Sequence, residues 1–210
     1  MATQDTPARL YLVTPARLDP EPFAALADRA LATGLAACLR LDLGAAPEDS
    51  WRAAASALQP VAHAHDVALV IAEHYRLVEP LGLDGAHLAA SRTPVREARK
   101  ALGAERIVGA FAGASRHLAM TMAEAGADYV SLGPVGETGA LGDGARAPDE
   151  LFEWWAETIE TPAVAEGGVT VEDAARLASW ADFVVPDAGI WEAADGVETA
   201  LARYAEALGA

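Results

Sequence analysis

The segment Ala127–Val135, with the sequence ADYVSLGPV, decides the fold more than any other part of the chain. Its apolar, β-branched and aromatic residues are typical of a buried strand, and the Gly133-Pro134 pair ends that strand at the start of a glycine-rich loop. A second segment, Pro162–Thr170, repeats the order of strand, glycine pair and helix start. In barrels of alternating strands and helices the active site lies where the strands end, so both segments predict functional loops.

Short apolar runs alternate with alanine-rich segments of helical period along the whole chain. The predicted strands are Arg9–Thr14, Ala36–Asp42, Val67–Ile71, Gly85–Leu88, Arg106–Ala110, Tyr129–Gly133, Ala163–Ala165 and Phe183–Pro186. The predicted helices are Pro22–Ala32, Glu48–His63, Tyr75–Leu81, Pro94–Leu102, Ser115–Ala125, Asp149–Thr158, Val171–Trp180 and Trp191–Leu208. Eight strand–helix units predict an α/β fold, a single (β/α)8 TIM barrel that comprises residues 1–210 as one domain. An open doubly wound sheet is the alternative, and the number of units favours a closed barrel.

The composition limits the classes of partner. With 31 acidic and 15 basic residues the net charge is −16, and nucleic-acid binding depends on clustered Lys and Arg, so no nucleic-acid partner is expected. No apolar run approaches the ~20 residues of a membrane span, and the N-terminus lacks a signal pattern, so we expect no membrane association and a cytoplasmic location. The single cysteine, Cys38, excludes an internal disulfide framework and agrees with that location. Lys100, the only lysine, lies in a predicted helix, which argues against Schiff-base chemistry at a strand end.

The longest irregular stretch is Gly136–Pro148, directly after the sixth predicted strand. Loops of about a dozen residues are uncommon unless they have a function. This glycine-rich loop is therefore either a lid over the site or an ordinary surface loop.

Four motifs in this order resemble the thiamine-phosphate synthase family, which includes a thiazole tautomerase branch with the same barrel. They are Arg9–Pro15, the DGAHL sequence of Asp84–Leu88, Gly126–Val135, and the glycine pair within Ala165–Val169. The resemblance covers nearly the whole chain and implies a role in thiamine biosynthesis with small-molecule substrates. It also implies a transferase reaction, in which Mg²⁺ helps diphosphate leave a hydroxymethylpyrimidine and a thiazole nitrogen captures the resulting cation.

The resemblance implies roles for three residues by their position in the motifs. Arg40 corresponds to an arginine on the pyrimidine side, and Glu73 corresponds to a carboxylate that binds Mg²⁺. Thr138 corresponds to a threonine of the loop after the sixth strand.

Further candidates follow from the residues themselves. His74 comes directly after Glu73 at a strand end, and Gly167-Gly168 present backbone N–H groups at a predicted helix start, which favours anions. The candidate catalytic residues are Arg40, Glu73 and His74, with Glu73 as the metal ligand and Mg²⁺ as the cofactor; the candidate ligand- and phosphate-binding residues are Thr138, Gly167, Gly168 and Asp187.

The chain also departs from the family pattern. The family's second metal carboxylate falls at or near Arg92, and the lysine expected two residues after Arg40 is Asp42. A lysine expected in the loop after Pro134 is absent, and the serine and histidine expected after the fifth strand are replaced within Phe111–Ala114. A leaving diphosphate needs a divalent cation held by carboxylates and basic side chains that neutralise its charge. These departures weaken that apparatus.

Two acidic residues flank the predicted phosphate site. Glu166 precedes the glycine pair, and Asp187 follows the eighth strand where a small neutral residue is usual. An acid about 4 Å from a phosphate costs on the order of 4 kcal/mol at an effective dielectric constant of 20. If both carboxylates point inward, phosphate binding fails; if they point away, it survives.

Three functional hypotheses stay open at this stage. The chain is a divergent transferase, or a relative that binds a thiamine-related ligand without catalysis, or an isomerase or lyase for a neutral or cationic substrate with Asp42, Glu73 or Asp187 as general base. The structural alternative for Arg40 is an ion pair with Asp42. The apolar face of Trp191–Leu208 is either part of the core or the contact of a homodimer.

Overall fold

The computed structural model describes residues 7–89, 94–138, 141–142 and 144–209. Within these residues, parallel strands β1 to β8 pair in sequence order and close into a barrel. The strands are β1 (Arg9–Val13), β2 (Ala36–Leu41), β3 (Ala68–Ala72), β4 (Gly85–Leu88), β5 (Ile107–Gly113), β6 (Tyr129–Leu132), β7 (Ala163–Val169) and β8 (Phe183–Pro186). The helices are α1 (Pro20–Leu31), α2 (Glu48–Ala64), α3 (Val78–Leu81), α4 (Val95–Leu102), α5 (Arg116–Glu124), α6 (Asp149–Thr158), α7 (Val171–Leu177) and α8 (Val197–Leu208). The predicted TIM barrel is confirmed.

Two element boundaries differ from the prediction in ways that matter for the site. Strand β7 extends to Val169 instead of ending at Ala165, so Glu166 is a strand residue. The predicted helix Trp191–Leu208 is divided into a 3-10 helix, Ala188–Glu192, and α8. Gly196, which precedes α8, has a φ of +92°, a conformation that ends helical geometry and that L side chains rarely adopt.

The barrel interior holds its own cluster of buried side chains. Its members are Tyr11, Cys38, Val70, Tyr129, Val164 and Val185. The hydroxyls of Tyr11 and Tyr129 lie 2.7 Å apart across the barrel. Gly109 makes room for this pair, because a Cβ there would lie 1.9 Å from Cζ of Tyr129. Large side chains therefore fill the barrel, as expected for eight strands.

The ends of β6 and β7 are tied together by their backbones. The amides of Val135 and Gly136 donate to the carbonyl of Gly167 at 3.0 and 2.8 Å. A Cβ at Gly133 would lie 2.1 Å from the carbonyl oxygen of Glu166, so only glycine permits this approach. The segments Ala127–Val135 and Pro162–Thr170, for which functional loops are predicted, are thus neighbours at the same end of the barrel.

The apolar face of α8 packs inside the molecule. Its residues Ala200, Leu201, Tyr204 and Leu208 are buried within the main core, and α8 contacts α1 and α7. The core alternative therefore accounts for this face, and a homodimer stays a prediction. In the described part of the chain, none of the helices has the length and apolar character to span a bilayer.

Candidate functional site

A cavity of about 810 Å³ opens at the carboxyl end of the strands. Its volume falls in the range of ordinary small-molecule sites. The residues lining it include Arg40, Asp42, Trp51, Glu73, His74, His87, Phe111, Leu141 and Glu166. Three of the predicted site residues, Arg40, Glu73 and His74, therefore share one cavity.

Strand alternation places an ion pair at the floor of this cavity. Cys38 and Val164 point into the barrel, so Arg40 and Glu166, each two residues further along the same strands, also point inward and one layer higher. Nη1 of Arg40 donates to Oε2 of Glu166 at 3.1 Å, and Nη2 donates to Oε1. Ser131 Oγ also donates to Oε2 of Glu166. One carboxylate thus binds both terminal nitrogens of the guanidinium.

The pair is buried and charged. Arg40 is 5% exposed and Glu166 is 2% exposed. Burial would raise the pKa of Glu166, but the Arg40 guanidinium and the hydrogen bond from Ser131 outweigh burial and hold that pKa at about 2. The inward orientation of Glu166 therefore adds no free negative charge, because Arg40 neutralises it.

The ion pair between Arg40 and Asp42, the structural alternative for Arg40, is present but looser than the pair with Glu166. Nε of Arg40 lies 3.8 Å from Oδ2 of Asp42, beyond hydrogen-bond distance. Among the residues that the structure describes, this buried Nε has no hydrogen-bond partner. Asp42 instead accepts a hydrogen bond from the amide of Gly44 at 3.2 Å.

Glu73 links the ends of β3 and β4. Its φ is +59°, a strained conformation for a residue with a side chain, and its amide donates to the carbonyl of His87 at 2.9 Å. Its carboxylate accepts a hydrogen bond from the amide of Ala89. Backbone groups of the neighbouring strand thus fix the position of this carboxylate.

The described side chains do not fit a Mg²⁺ site. Mg²⁺ requires several oxygen ligands in octahedral geometry, and Glu73 is the one predicted metal ligand that lines the cavity. Across residues 7–89, 94–138, 141–142 and 144–209, no group of three or more His, Cys, Asp or Glu side chains is arranged to hold a metal. Arg92, which corresponds to the family's second metal carboxylate, lies outside the described residues.

Two histidines line the cavity in different environments. The His74 ring packs on Trp51, with centroids 4.6 Å apart and planes tilted by 59°. His87 is buried, and its Nδ1 lies 3.0 Å from the hydroxyl of Tyr129, which contacts Tyr11 in turn. Burial, and then the charge of Arg40, lower the pKa of His87 to about 3, so this imidazole is neutral at physiological pH.

Three of the predicted ligand- and phosphate-binding residues, Thr138, Gly167 and Gly168, lie near the end of β7 but do not line this cavity. Thr138 lines a separate pocket of about 540 Å³ with Pro134, Gly136, Glu137, Gly144 and Arg146. A Cβ at Gly167 would lie 2.9 Å from Cα of Pro134, and one at Gly168 would lie 3.0 Å from the carbonyl oxygen of Glu137. The glycine pair therefore allows the two loops to pack closely. Arg146 in this pocket is paired with Glu137 at 3.0 Å.

Asp187 is not brought to either pocket. It is exposed, and its carboxylate accepts a hydrogen bond from the amide of Gly189 at 2.9 Å, at the start of the 3-10 helix. At the start of α7 the backbone N–H groups also find partners within the protein. The Thr170 hydroxyl accepts a hydrogen bond from the amide of Asp173, and the Asp173 carboxylate accepts one from the amide of Thr170. Both helix starts thus bind side chains of the protein itself.

Sequence reasoning missed the partnership of Glu166 with Arg40 and Ser131. The sequence did contain an indication of this pair, because an arginine buried on a strand needs a carboxylate that is buried at the same level of the barrel and neutralises it. The glycines after Glu166 suggested a loop and concealed its strand position.

Comparison with known proteins identifies the family of this chain. The family model TMP-TENI, thiamine monophosphate synthase, matches residues 10–190. A thiamine-phosphate synthase of Rhodospirillum centenum is 41% identical over 95% of this chain and 97% of its own length. One of Erythrobacter litoralis is 36% identical over the whole of both chains. The structure of a thiamine phosphate pyrophosphorylase from Pyrococcus furiosus superposes with a TM-score of 0.82 at 22% identity, over 96% of this chain and 95% of that one. Because the family model and the relatives span the strands that build the cavity, the chain belongs to the thiamine monophosphate synthase family.

Proposed function

We propose that this protein binds a small molecule in the cavity at the strand ends and does not join a pyrimidine diphosphate to a thiazole phosphate. The observation that carries the proposal is the ion pair of Arg40 with Glu166. Both terminal nitrogens of Arg40 contact Glu166 oxygens. A diphosphate at this position would compete with a buried carboxylate for the same guanidinium.

The charge of the cavity supports the same conclusion. Among the described residues that line it, Arg40 is the only arginine or lysine, whereas Asp42, Glu73 and Glu166 are all acidic. Diphosphate departure develops negative charge that donors and cations must stabilise. The described lining supplies two more carboxylates than guanidinium groups, so it opposes that charge.

A divergent transferase is the second candidate function. It is favoured by the 41% identity to the thiamine-phosphate synthase of Rhodospirillum centenum and by the common cavity of Arg40 and Glu73. The isomerase or lyase alternative stays a prediction, because no described contact selects one carboxylate as a base.

A product assay separates the first two candidates. The purified protein is incubated with hydroxymethylpyrimidine diphosphate, thiazole phosphate and Mg²⁺, and thiamine phosphate is measured by mass spectrometry. We expect no product above the protein-free background, while the Rhodospirillum centenum relative, under the same conditions, serves as the positive control. Product formation at a rate comparable to that of the relative would overturn the proposal in favour of the transferase.

A further inference from the structure

We infer that Tyr129 is a positioning residue that holds the imidazole of His87 in one tautomer, with Nδ1 unprotonated and the proton on Nε2. His87 then presents a neutral N–H donor to the cavity at the strand ends. What this implies for a ligand rests on the proposed function, whereas the tautomer is a property of the barrel wall and holds for either candidate function.

Strand alternation turns His87 toward the inside of the barrel. Its neighbours Ala86 and Leu88 belong to the main core, so the side chain between them points the other way. There it is 6% exposed and lines the cavity. Its Nδ1 lies 3.0 Å from the hydroxyl of Tyr129, a member of the interior cluster. Nε2, on the other side of the ring, has no hydrogen-bond partner among the described residues.

Gly109 allows the phenol of Tyr129 to reach His87. The three residues are register partners on adjacent strands, because His87 pairs with Gly109 and Gly109 pairs with Tyr129. A Cβ on Gly109 would lie 1.9 Å from Cζ and 2.3 Å from the hydroxyl oxygen of Tyr129. The phenol therefore occupies the space that a side chain on β5 would take, and its hydroxyl contacts Nδ1 directly.

The hydroxyl of Tyr11 determines the direction of these hydrogen bonds. It lies 2.7 Å from the hydroxyl of Tyr129, and its other neighbours are the thiol of Cys38 and the guanidinium of Arg40. A thiol is a weak acceptor and a guanidinium accepts no hydrogen bond, so Tyr11 donates to Tyr129. Tyr129 then donates its own proton to Nδ1, which is its remaining partner in the described part of the chain.

The strengths of the groups favour the same direction. A phenol is a stronger acid than a neutral imidazole, and an imidazole nitrogen is a stronger base than a phenol oxygen. The hydrogen bond from Tyr129 to Nδ1 is therefore stronger than its reverse. Because a neutral imidazole carries a single proton, that proton lies on Nε2.

This tautomer restricts what His87 can do in the cavity. A protonated Nε2 neither accepts a proton nor binds a metal ion, so His87 is not a general base or a metal ligand while Tyr129 occupies Nδ1. It instead donates a hydrogen bond to a ligand. Under the proposed function, the site therefore favours a molecule with an uncharged acceptor, such as a ring nitrogen or a carbonyl oxygen, at this wall.

Nitrogen NMR of the uniformly ¹⁵N-labelled protein at neutral pH tests the inference, because the chemical shift of an imidazole nitrogen reports whether it carries a proton. The His87 signals are assigned by their loss in His87→Gln. We expect Nδ1 of His87 to have the shift of an unprotonated nitrogen and Nε2 the shift of a protonated one. A proton on Nδ1, or on both nitrogens, would overturn the inference.

Two conservative variants test the role of Tyr129. Tyr129→Phe removes the donor to Nδ1, so both nitrogens of His87 should move to shifts averaged between the two tautomers. The matched control is Tyr11→Phe, which deletes the neighbouring hydroxyl of the same interior cluster but leaves Tyr129 able to donate to Nδ1. It should keep the shifts of the parent protein. Unchanged shifts in Tyr129→Phe, or averaged shifts in both variants, would contradict the role of Tyr129.

A merely structural role predicts a different result. Loss of either hydroxyl would then lower the free energy of unfolding without moving the nitrogen shifts of His87. If either variant fails to fold, the spectrum of the parent protein alone decides the tautomer.

The two proposals fail in different ways. Thiamine phosphate formation in the product assay would overturn the proposed function and leave the tautomer of His87 unaffected. A protein that forms no product but carries the His87 proton on Nδ1 would retain the proposed function and lose only the inference on His87.

Discussion

Replacing Glu166 by Gln is expected to lower the free energy of unfolding by about 3–5 kcal/mol, the usual cost when one partner of a buried ion pair is removed. The substitution preserves volume and an acceptor oxygen, so the loss comes from the charge. Arg40 would remain 5% exposed, with Asp42 as the nearest carboxylate of the described cavity wall, 3.8 Å from Nε. In the variant, the Arg40 guanidinium would have no directly hydrogen-bonded carboxylate among the described residues, so its buried charge would not be neutralised by a contact partner.

A second ion pair in the molecule supplies the matched control. Glu198 binds Arg29 through two hydrogen bonds of 2.7 and 2.8 Å, but both side chains are exposed. Glu198→Gln makes the same chemical change where water solvates the remaining arginine, so stability should change little. Urea denaturation of both variants measures the difference. Equal losses in Glu166→Gln and Glu198→Gln would show that burial of the Arg40 pair has no energetic consequence.

A companion variant separates charge from packing. Replacing both residues, as Arg40→Met with Glu166→Leu, removes the buried charges together. Apolar replacement of an entire buried pair is commonly neutral or stabilising. The double variant should therefore be more stable than Glu166→Gln, although it lacks every contact of the pair. A double variant less stable than the single one would contradict this explanation.

Acid should destabilise the protein through His87. The pKa of this residue is about 3 in the folded protein, lowered first by burial, from an ordinary value of 6.5. Between these values the unfolded chain binds one more proton than the folded one, so stability falls as pH falls. Each unit of pH in that window costs about 1.4 kcal/mol from this residue. Glu166, with a pKa of about 2 against 4.5, adds a loss in the same direction at lower pH.

The comparison of His87→Gln with the parent protein isolates this effect. Glutamine retains a polar group for the hydroxyl of Tyr129, and it does not titrate. Urea denaturation between about pH 6 and pH 4 should show the parent losing stability relative to the variant by about 1.4 kcal/mol per unit. Parallel stability curves would show that His87 gains its proton equally well in the folded and unfolded states.

The fold was largely predictable from local pattern. Segments such as Gly85–Leu88 and Phe183–Pro186 have the same bounds in the prediction and in the structure. Short apolar runs that alternate with amphipathic segments leave few other architectures, because each strand needs a helix to cover its outer face. The break before α8 at Gly196 could not be predicted from the sequence. A glycine within a helical pattern interrupts the helix only where the tertiary fold requires the chain to turn.

The site was less predictable, because its chemistry depends on pairings across the barrel. Arg40 and Glu166 are 126 residues apart in sequence and meet only when the barrel closes. Their pairing depends on register, which composition and local pattern do not specify. By contrast, Glu73 and His74 follow directly from their place at the end of a strand, and both line the cavity. Asp187 occupies a comparable place but faces solvent, because it caps the next helical turn.

The central claim is that the Arg40 guanidinium is held by Glu166 and does not bind a diphosphate. Calorimetric titration of the purified protein with hydroxymethylpyrimidine diphosphate, with and without Mg²⁺, tests this claim most directly. We predict no Mg²⁺-dependent heat, because both terminal nitrogens of Arg40 contact Glu166 and the described lining carries excess negative charge. Micromolar binding of the diphosphate that requires Mg²⁺ would contradict it and would restore the transferase as the function of this barrel.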